Sequence, residues 1–176
     1  MERKLTLKEN VTGSNPKKVT EVAFFSKNDS LKLLFICADS DIISKGQSYN
    51  DKLYEGDVVE LFLTLGERNR YLELEVNPDG VEYSAVVTND GNGKIDIDFL
   101  ETPPFRSKTK RTDFGWESEW EVDLKALKTL GFDGDNAYFN LYRQDFQSDG
   151  ALNLYALSPT YKPTFHDAHA FVKYQG

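Results

Sequence analysis

The sequence contains one cysteine, one methionine and two histidines among 176 residues. A single cysteine excludes an internal disulfide framework and any metal site built from several thiolates. Cys37 lies in the apolar run 33–38, where we expect a small buried residue, because the local sequence supplies no basic neighbour that would activate a thiol. The run has six residues, far fewer than the ~20 that a membrane-spanning helix needs.

Positive charge is also scarce. Lys and Arg total 21 against 29 Asp and Glu, which gives a net charge of -8 and a pI of about 4.8. We therefore expect no nucleic-acid partner and no membrane partner. The first twenty residues carry a charge of +3 and lack the apolar segment of a secretory signal. As written, the chain is expected to be cytoplasmic, and it would be secreted if the sequence is trimmed from a longer one.

The length, with an apolar fraction of 39%, favours one globular domain. Residues 1–18 are polar and are interrupted by Gly13 and Pro16. We predict that they form an irregular lead-in, which could include one edge strand. Residues 19–176 are predicted to form a single domain.

Period-two alternation of apolar and polar residues dominates that domain. The predicted strands are Thr20–Phe25, Leu31–Ala38, Val58–Leu65, Tyr71–Val76, Val81–Thr88, Trp116–Val122, Ala137–Tyr142, Leu152–Leu157 and Ala170–Tyr174. A short helix is predicted over Leu124–Leu130, with Asp123 and Gly131 as its caps. Short strands separated by Asn, Asp and Gly turns predict an all-β fold. The expected architecture is a two-sheet antiparallel β-sandwich, jelly-roll or immunoglobulin-like, with one short helix.

Alternation also assigns side chains to faces. Leu72, Leu74 and Val76 should point inward, which turns the residues between them outward. Polar and aromatic residues of three strands could then share one outer face: Glu60, Glu73, Glu75, Asn77, Asn140 and Tyr142. Such a face combines carboxylates, amides and an aromatic ring.

Several sequence strings occur in an order that is recognisable. They are NDKLYEGDVVELFL at 50–63, YLELEVNPDG at 71–80, FNLYR at 139–143, ALSPT at 156–160, and FH at 165–166 ahead of AF at 170–171. This ordered set resembles carbohydrate-binding module family 9, including its broader branch of bacterial family-9-like proteins. The resemblance extends from about Thr20 to Tyr174, which is nearly the whole chain.

The resemblance implies a β-sandwich, often stabilised by calcium, that binds sugars without catalysis. In the best-known members the ligands are reducing ends of plant polysaccharides such as xylan and cellulose, so a glycoside hydrolase partner and a role in polysaccharide breakdown are implied. Two tryptophans clamp the sugar ring in those members. The first clamp position falls on Tyr54, and the second falls on Leu157. Loss of one aromatic contact removes on the order of 1 kcal/mol, or roughly tenfold in affinity.

The resemblance also places polar ligand contacts on Glu60, Glu75 and Asn77. With Tyr54, Tyr142 and Arg143 these make up the predicted binding set. The alternatives are a tyrosine that covers a loop and a solvated sheet face. Arg143 could either neutralise the carboxylates structurally or contact the ligand.

A calcium site is a second expectation. The loop Asp90–Asp98 alternates oxygen-bearing residues, and Asp90, Asn92 and Asp96 are its candidate ligands. The alternative is an ordinary hairpin with an Asp-Gly turn. Residues 39–41 with 50–51 form another acidic candidate cluster. His166 is interpreted as a structural loop residue, since no third metal ligand lies near it in the sequence.

Two other functions remain open. Glu73 and Glu75 could serve as the two acids of a glycoside hydrolase, although nearly any E-x-E strand offers this spacing. Trp116 and Trp120 are expected in the core, but on a binding face they would be sugar platforms. We expect a non-catalytic carbohydrate-binding module for plant-polysaccharide sugars. The alternative is a family-9-like domain without sugar binding that acts in protein interaction or as a scaffold.

Overall fold

The computed structural model describes residues 3–175. Within this range it has 13 strands, one α-helix and two 3-10 turns, so the predicted β-sandwich is confirmed. The elements are β1 Arg3–Thr6, β2 Lys8–Glu9, β3 Thr20–Lys27, β4 Ser30–Ala38, β5 Val58–Leu65, β6 Glu67–Val76, β7 Glu82–Asn89, β8 Ile95–Phe99, β9 Phe105–Thr112, β10 Gly115–Asp123, α1 Leu124–Lys128, β11 Tyr138–Phe146, β12 Leu152–Ala156 and β13 Val172–Lys173. The 3-10 turns are Leu53–Glu55 and Ala168–Ala170.

The strands form two antiparallel sheets. The smaller has the order β1-β3-β4-β10-β9, and the larger has the order β2-β12-β11-β5-β6-β7-β8, with β13 paired to β11. The main core lies between them. Trp116 and Trp120 are 0% and 1% exposed there, and Trp120 packs on Phe35 with ring centroids 5.1 Å apart. The two tryptophans are therefore core residues and not sugar platforms.

Helix α1 begins as predicted. The Oδ1 atom of Asp123 accepts hydrogen bonds from the backbone N–H groups of Lys125 and Ala126, at 2.9 and 3.0 Å. This bonding satisfies donors that a helix N-terminus otherwise leaves unpaired. The helix buries Leu124 and Leu127 and ends at Lys128, two residues before the predicted end.

All nine predicted strands are present. The lead-in, for which at most one edge strand was considered, contains two, β1 and β2, and strands β8 and β9 were not predicted. Strand β9 is a polar edge strand, so it lacks the apolar alternation on which prediction depends. Its basic residues lie opposite the acidic residues of β10, in the pairs Arg106–Glu121, Lys108–Glu119 and Lys110–Glu117. Opposite charges across a strand pair stabilise the register.

The segment expected to be irregular is part of both sheets. Strand β1 pairs with β3, and β2 pairs with β12. Leu7 and Asn10 are fully buried between and after these strands. For the described residues 3–18, the lead-in is therefore an integral part of the sandwich.

Cys37 is buried, and burial raises the pKa of its thiol to about 12. The expectation of an inert core cysteine agrees with this environment. Between residues 3 and 175, the structure has no helix whose length and hydropathy would allow it to cross a bilayer.

Candidate functional site

The outer face of the larger sheet carries the residues that alternation predicted for it. Glu60 of β5 lies opposite Tyr142 of β11 on one side and Glu75 of β6 on the other. Glu75 in turn lies opposite Tyr83 of β7. One row across four strands therefore holds two carboxyl groups between two tyrosines.

Part of this face is covered by residues 157–171, which we call the covering loop. Phe165 of the loop stacks on Tyr142, with ring centroids 4.2 Å apart and an interplanar angle of 17°. The Tyr142 hydroxyl donates to the backbone oxygen of Phe165 at 3.2 Å, and Nδ1 of His166 lies 2.8 Å from the Tyr71 hydroxyl. A second apolar cluster, centred on Phe62, thus forms on the outer face.

Asn10 holds the covering loop in place. Its Nδ2 atom donates to the Thr160 hydroxyl and the Lys162 carbonyl, both at 2.8 Å, and its Oδ1 atom accepts from the Thr160 backbone N–H at 3.0 Å. Its backbone N–H donates to the Leu154 carbonyl at 2.8 Å. One buried side chain therefore connects the lead-in to the loop that covers the sheet.

The uncovered part of the face is a cleft of about 360 Å³. It runs across the strands from Leu152 and Leu154 on β12 to Ile97 on β8, and residues 163–166 form one wall. Its rim is apolar and open: Tyr54, Ile97 and Leu152 are each about 45% exposed. The volume lies within the ~300–1,000 Å³ that is usual for small-ligand sites.

The bottom of the cleft is acidic. We call Glu60, Glu73 and Glu75 the acidic floor; they are 1%, 5% and 1% exposed, and one carboxyl oxygen from each lies within 4.8 Å of the others. Gln144 Nε2 donates to Glu60 Oε1 at 3.2 Å. The Oε2 atoms of Glu73 and Glu75 have no hydrogen-bond partner among the described residues.

Burial dominates the proton affinity of the acidic floor. It raises the pKa of Glu73 from 4.5 to about 7. Burial, followed by the negative charge of the neighbouring carboxylates, raises the pKa of Glu60 and of Glu75 well above the ordinary value. The floor therefore tends to hold protons at neutral pH. Ionising all three carboxyl groups would place like charges close together where there is little water, which costs free energy.

The structure brings together Tyr54, Glu60 and Glu75 of the predicted binding set. Tyr142 lies on the same face but is 0% exposed beneath Phe165. Asn77 does not line the cleft, because its side chain is hydrogen-bonded to backbone groups. Its Nδ2 atom donates to the Lys45 carbonyl at 2.7 Å, and its Oδ1 atom accepts from two N–H groups of the following turn.

The expectation that Arg143 reaches the carboxylates of this face is wrong. Arg143 alternates with Tyr142 along β11, so it points between the two sheets and is fully buried. Its Nη2 atom pairs with Asp39 at 2.9 Å and Asp145 at 3.0 Å. Lys18 pairs with the same two aspartates. The structure supports neither of the two roles considered for Arg143 on this face; its structural role lies between the sheets, with Asp39 and Asp145.

Of the acidic candidate cluster at residues 39–41 and 50–51, Asp39 takes part in these ion pairs. Asp39, Asp57 and Asp145 place carboxyl oxygens within 4.8 Å of one another, a spacing that suits a metal ion. The cations present there are the Lys18 ammonium and the Arg143 guanidinium. Burial raises the pKa of Asp57 to about 7, which reduces the charge to be balanced.

The loop proposed for calcium forms a hairpin between β7 and β8. Asp90 Oδ1 accepts from the backbone N–H groups of Asn92 and Lys94, at 2.7 and 3.1 Å. Asp96 lies in β8 and pairs with the Lys94 ammonium at 2.8 Å. The hairpin alternative describes this local structure. A calcium ion on Asp90, Asn92 and Asp96 stays a prediction.

Sequence reasoning did not assign several cleft residues to the site, among them Gln144, Tyr83 and the apolar rim at Ile97 and Leu152. Gln144 lies two residues after Tyr142, so alternation could have placed it on the same face. Leu157, at the second clamp position, packs against the main core and presents no ring to the cleft. His166 lines the cleft wall, and burial lowers its pKa.

Comparison with known proteins supports the architecture. No family model matches the sequence. An extracellular protein of Arthroderma benhamiae is 25% identical over 140 residues, which is 73% of this chain and 63% of that protein. The chain thus spans less than two thirds of the length of this curated relative.

Solved structures with the same fold include three at 15–16% identity. A Bacteroides uniformis protein inferred to bind carbohydrate superposes with a TM-score of 0.77 over 98% of this chain and 84% of its own. Carbohydrate-binding module family 9 structures from Caldicellulosiruptor kristjanssonii give 0.65 for a glucose complex, over 98% and 85% of the two chains. A cellotriose complex gives 0.59 over 89% and 72%. The chain therefore has a family-9-like β-sandwich fold.

Proposed function

We propose that this protein is a non-catalytic carbohydrate-binding module and that its ligand lies in the cleft above the acidic floor. The observation that carries the proposal is the combination in one cleft of an exposed tyrosine, Tyr54, and buried hydrogen-bonding groups on Glu60, Glu75 and Gln144. A flat ring at the rim and polar groups beneath it suit a sugar, which has an apolar C–H face and hydroxyl edges. The fold that the chain shares with sugar-bound modules supports this assignment.

The binding mode follows from the geometry. The sugar ring stacks on Tyr54 and contacts the apolar rim at Ile97 and Leu152. Its hydroxyls donate to the unpartnered carboxyl oxygens of Glu73 and Glu75. These buried acceptors have lost their water, so each new hydrogen bond recovers a desolvation cost already incurred in folding.

The arrangement does not favour glycoside hydrolysis. A hydrolase places its two acids on either side of the scissile bond. Glu73 and Glu75 come from one strand, point to one face and lie together at the bottom of the cleft. Both therefore approach a bound sugar from the same side, which is suited to recognition and not to acid–nucleophile chemistry.

Several finer assignments belong to the same proposal. The ligands would be sugars or oligosaccharides derived from plant polysaccharides such as xylan and cellulose, and a glycoside hydrolase would be the partner. The curated relative is described as extracellular, which favours a site of action outside the cell. Calcium would have a structural role.

A second candidate function is protein interaction or scaffolding without sugar binding. The observation that favours it is Leu157, which leaves the second clamp position without a ring. Titration calorimetry with glucose and cellotriose separates the two. Saturable heat supports the sugar-binding proposal, and no heat from a folded sample with either sugar, or with xylose oligomers, contradicts it.

The site itself is tested with Tyr54→Ala. We expect at least about a tenfold loss of affinity for cellotriose, since one aromatic stacking contact is removed. Phe114→Ala is the matched control, because Phe114 is 84% exposed and lies on the β9–β10 turn of the other sheet. Equal affinity in both variants would place the binding site elsewhere.

A further inference from the structure

The cleft is lined by acidic side chains with no strongly basic side chain of residues 3–175 beside them. Its lining, within the described residues, contains the three glutamates of the acidic floor and no lysine or arginine. His166, in the wall, is the side chain of the lining that could carry a positive charge; burial lowers its pKa, and its Nδ1 atom is hydrogen-bonded to the Tyr71 hydroxyl. Residues 3–175 thus supply no cation to the floor, in contrast to the aspartates between the sheets, which pair with Lys18 and Arg143.

The floor also has free acceptors. The Oε2 atoms of Glu73 and Glu75 are unpartnered, and both residues are at least nine-tenths buried in the bottom of the cleft. Three carboxyl groups converge there within 4.8 Å. A primary ammonium carries three N–H donors on a single atom, which matches such a converging set of acceptors.

We propose that the cleft selects saccharides that carry a primary ammonium group, so that its ligands are amino sugars such as glucosamine and its oligomers. This inference rests on the proposed sugar-binding function and goes beyond it, because amino sugars would be preferred to the neutral sugars of xylan and cellulose. The ammonium is held by the acidic floor while the sugar ring lies against Tyr54 at the rim.

The surroundings of the floor favour an organic cation over a bare metal ion. Calcium requires six to eight oxygen ligands, whereas the floor and Gln144 provide only a few from one side. The remaining lining is aromatic and aliphatic, with Tyr54, Tyr83 and Ile97 around the opening. Aromatic faces attract ammonium groups, and aliphatic side chains contact the ring carbons.

Charge explains the selectivity. A neutral sugar hydroxyl can donate to one carboxyl oxygen but leaves the acids of the floor, which tend to hold protons, uncharged. An ammonium group favours ionisation of these acids because its charge offsets their mutual repulsion, and the charge-assisted hydrogen bonds that result are about twice as strong as neutral ones. We therefore expect the preference to depend on the carboxylates and not on the size of the substituent.

The test compares three trisaccharides by calorimetry on the intact chain: the glucosamine trimer, its fully N-acetylated form, and cellotriose. They share one ring system and differ at C2, which carries an ammonium, an acetamide or a hydroxyl. We expect the glucosamine trimer to bind at least about tenfold more tightly than either neutral sugar. A gain of that order corresponds to one additional charge-assisted hydrogen bond. The comparison needs only the wild-type protein.

Variants then assign the preference to the floor. In the double variant Glu73→Gln/Glu75→Gln the glucosamine trimer should bind no more tightly than cellotriose, whereas Glu67→Gln, an exposed position on the same strand, should keep the wild-type preference. A preference that persists in the double variant overturns the assignment.

The outcomes separate this inference from the proposed function. Equal or tighter binding of cellotriose overturns the amine preference and leaves sugar binding intact. No binding of any of the three sugars contradicts the proposed function itself. Stoichiometric binding of calcium alone that is lost in the double variant, without an amine preference, would assign the floor to a metal ion and overturn the inference.

Discussion

The acidic floor should make the protein less stable as the pH rises, and Glu73→Gln should remove part of that loss. In the folded chain the pKa of Glu73 is about 7, whereas its ordinary value is 4.5. Below pH 4.5 the carboxyl is protonated in both states and contributes nothing. Between pH 4.5 and 7 the unfolded chain releases the proton and the folded chain keeps it, so the unfolded state is favoured.

The magnitude follows from the two pKa values. Their difference corresponds to on the order of 3 kcal/mol for Glu73 alone, reached near pH 7 and constant above it. Glu60 and Glu75, whose pKa values are also raised, act in the same direction. Gln has nearly the same shape as Glu and does not ionise. The Glu73→Gln variant therefore lacks this pH-dependent loss of unfolding free energy.

Urea denaturation at several pH values between 4.5 and 7.5 measures the effect. The free energy of unfolding of Glu73→Gln, relative to wild type, should rise by up to about 3 kcal/mol across this range. Titrating groups outside the acidic floor largely cancel in this difference. Glu60 and Glu75 add to it in the same direction, because the charge of Glu73 contributes to their raised pKa values. Glu67→Gln, exposed on the same strand, should stay within about 0.5 kcal/mol of wild type at each pH. Parallel curves for Glu73→Gln and wild type would refute the reasoning.

Two further variants test the parts of the molecule that support the cleft. Asn10→Ala should reduce the free energy of unfolding by about 2 kcal/mol or more, since several buried hydrogen bonds to the loop at 160–164 are lost; it should also weaken sugar binding, because a wall of the cleft is released. Unchanged stability and affinity would contradict this role. Arg143→Met should cost about 3–5 kcal/mol, because Asp39 and Asp145 keep only one cation between them. The affinity of the folded variant for sugar should not change. A loss of affinity would contradict the assignment of Arg143 to a structural role away from the binding site.

Strand prediction succeeded where one face of a strand is buried. Period-two alternation in Val58–Leu65 and Tyr71–Val76 assigned Glu60 and Glu75 to the same outer face, and the register places them opposite each other. The N-terminal cap of α1 at Asp123 was equally local and equally predictable. Strand β9 was missed because it lies at a sheet edge and its charged, exposed residues show no apolar alternation. Strand β8 does alternate, but its aspartates were interpreted as ligands of a calcium loop.

The site was only partly predictable. Alternation could identify the face on which Tyr142 lies, but not that Phe165 would stack on it and close that part of the face. Alternation could not show that the Asn77 side chain would accept hydrogen bonds from the backbone of the turn that follows its strand. For Arg143, alternation points inward, but only the position of Asp39 on the facing sheet explains how a buried guanidinium is tolerated.

Local sequence patterns predicted nine of the strands, the two-sheet sandwich and the face that carries the acidic residues, because alternation and capping depend on neighbours along the chain. Tertiary structure decided which part of that face remains open. The covering loop is held by Asn10, which lies 150 residues before Thr160, and no local pattern records such a contact. Tertiary structure also brings Glu60, Glu73 and Glu75 together without a cation from residues 3–175. The three carboxyl groups become buried next to one another only when the strands have paired and the covering loop is in place.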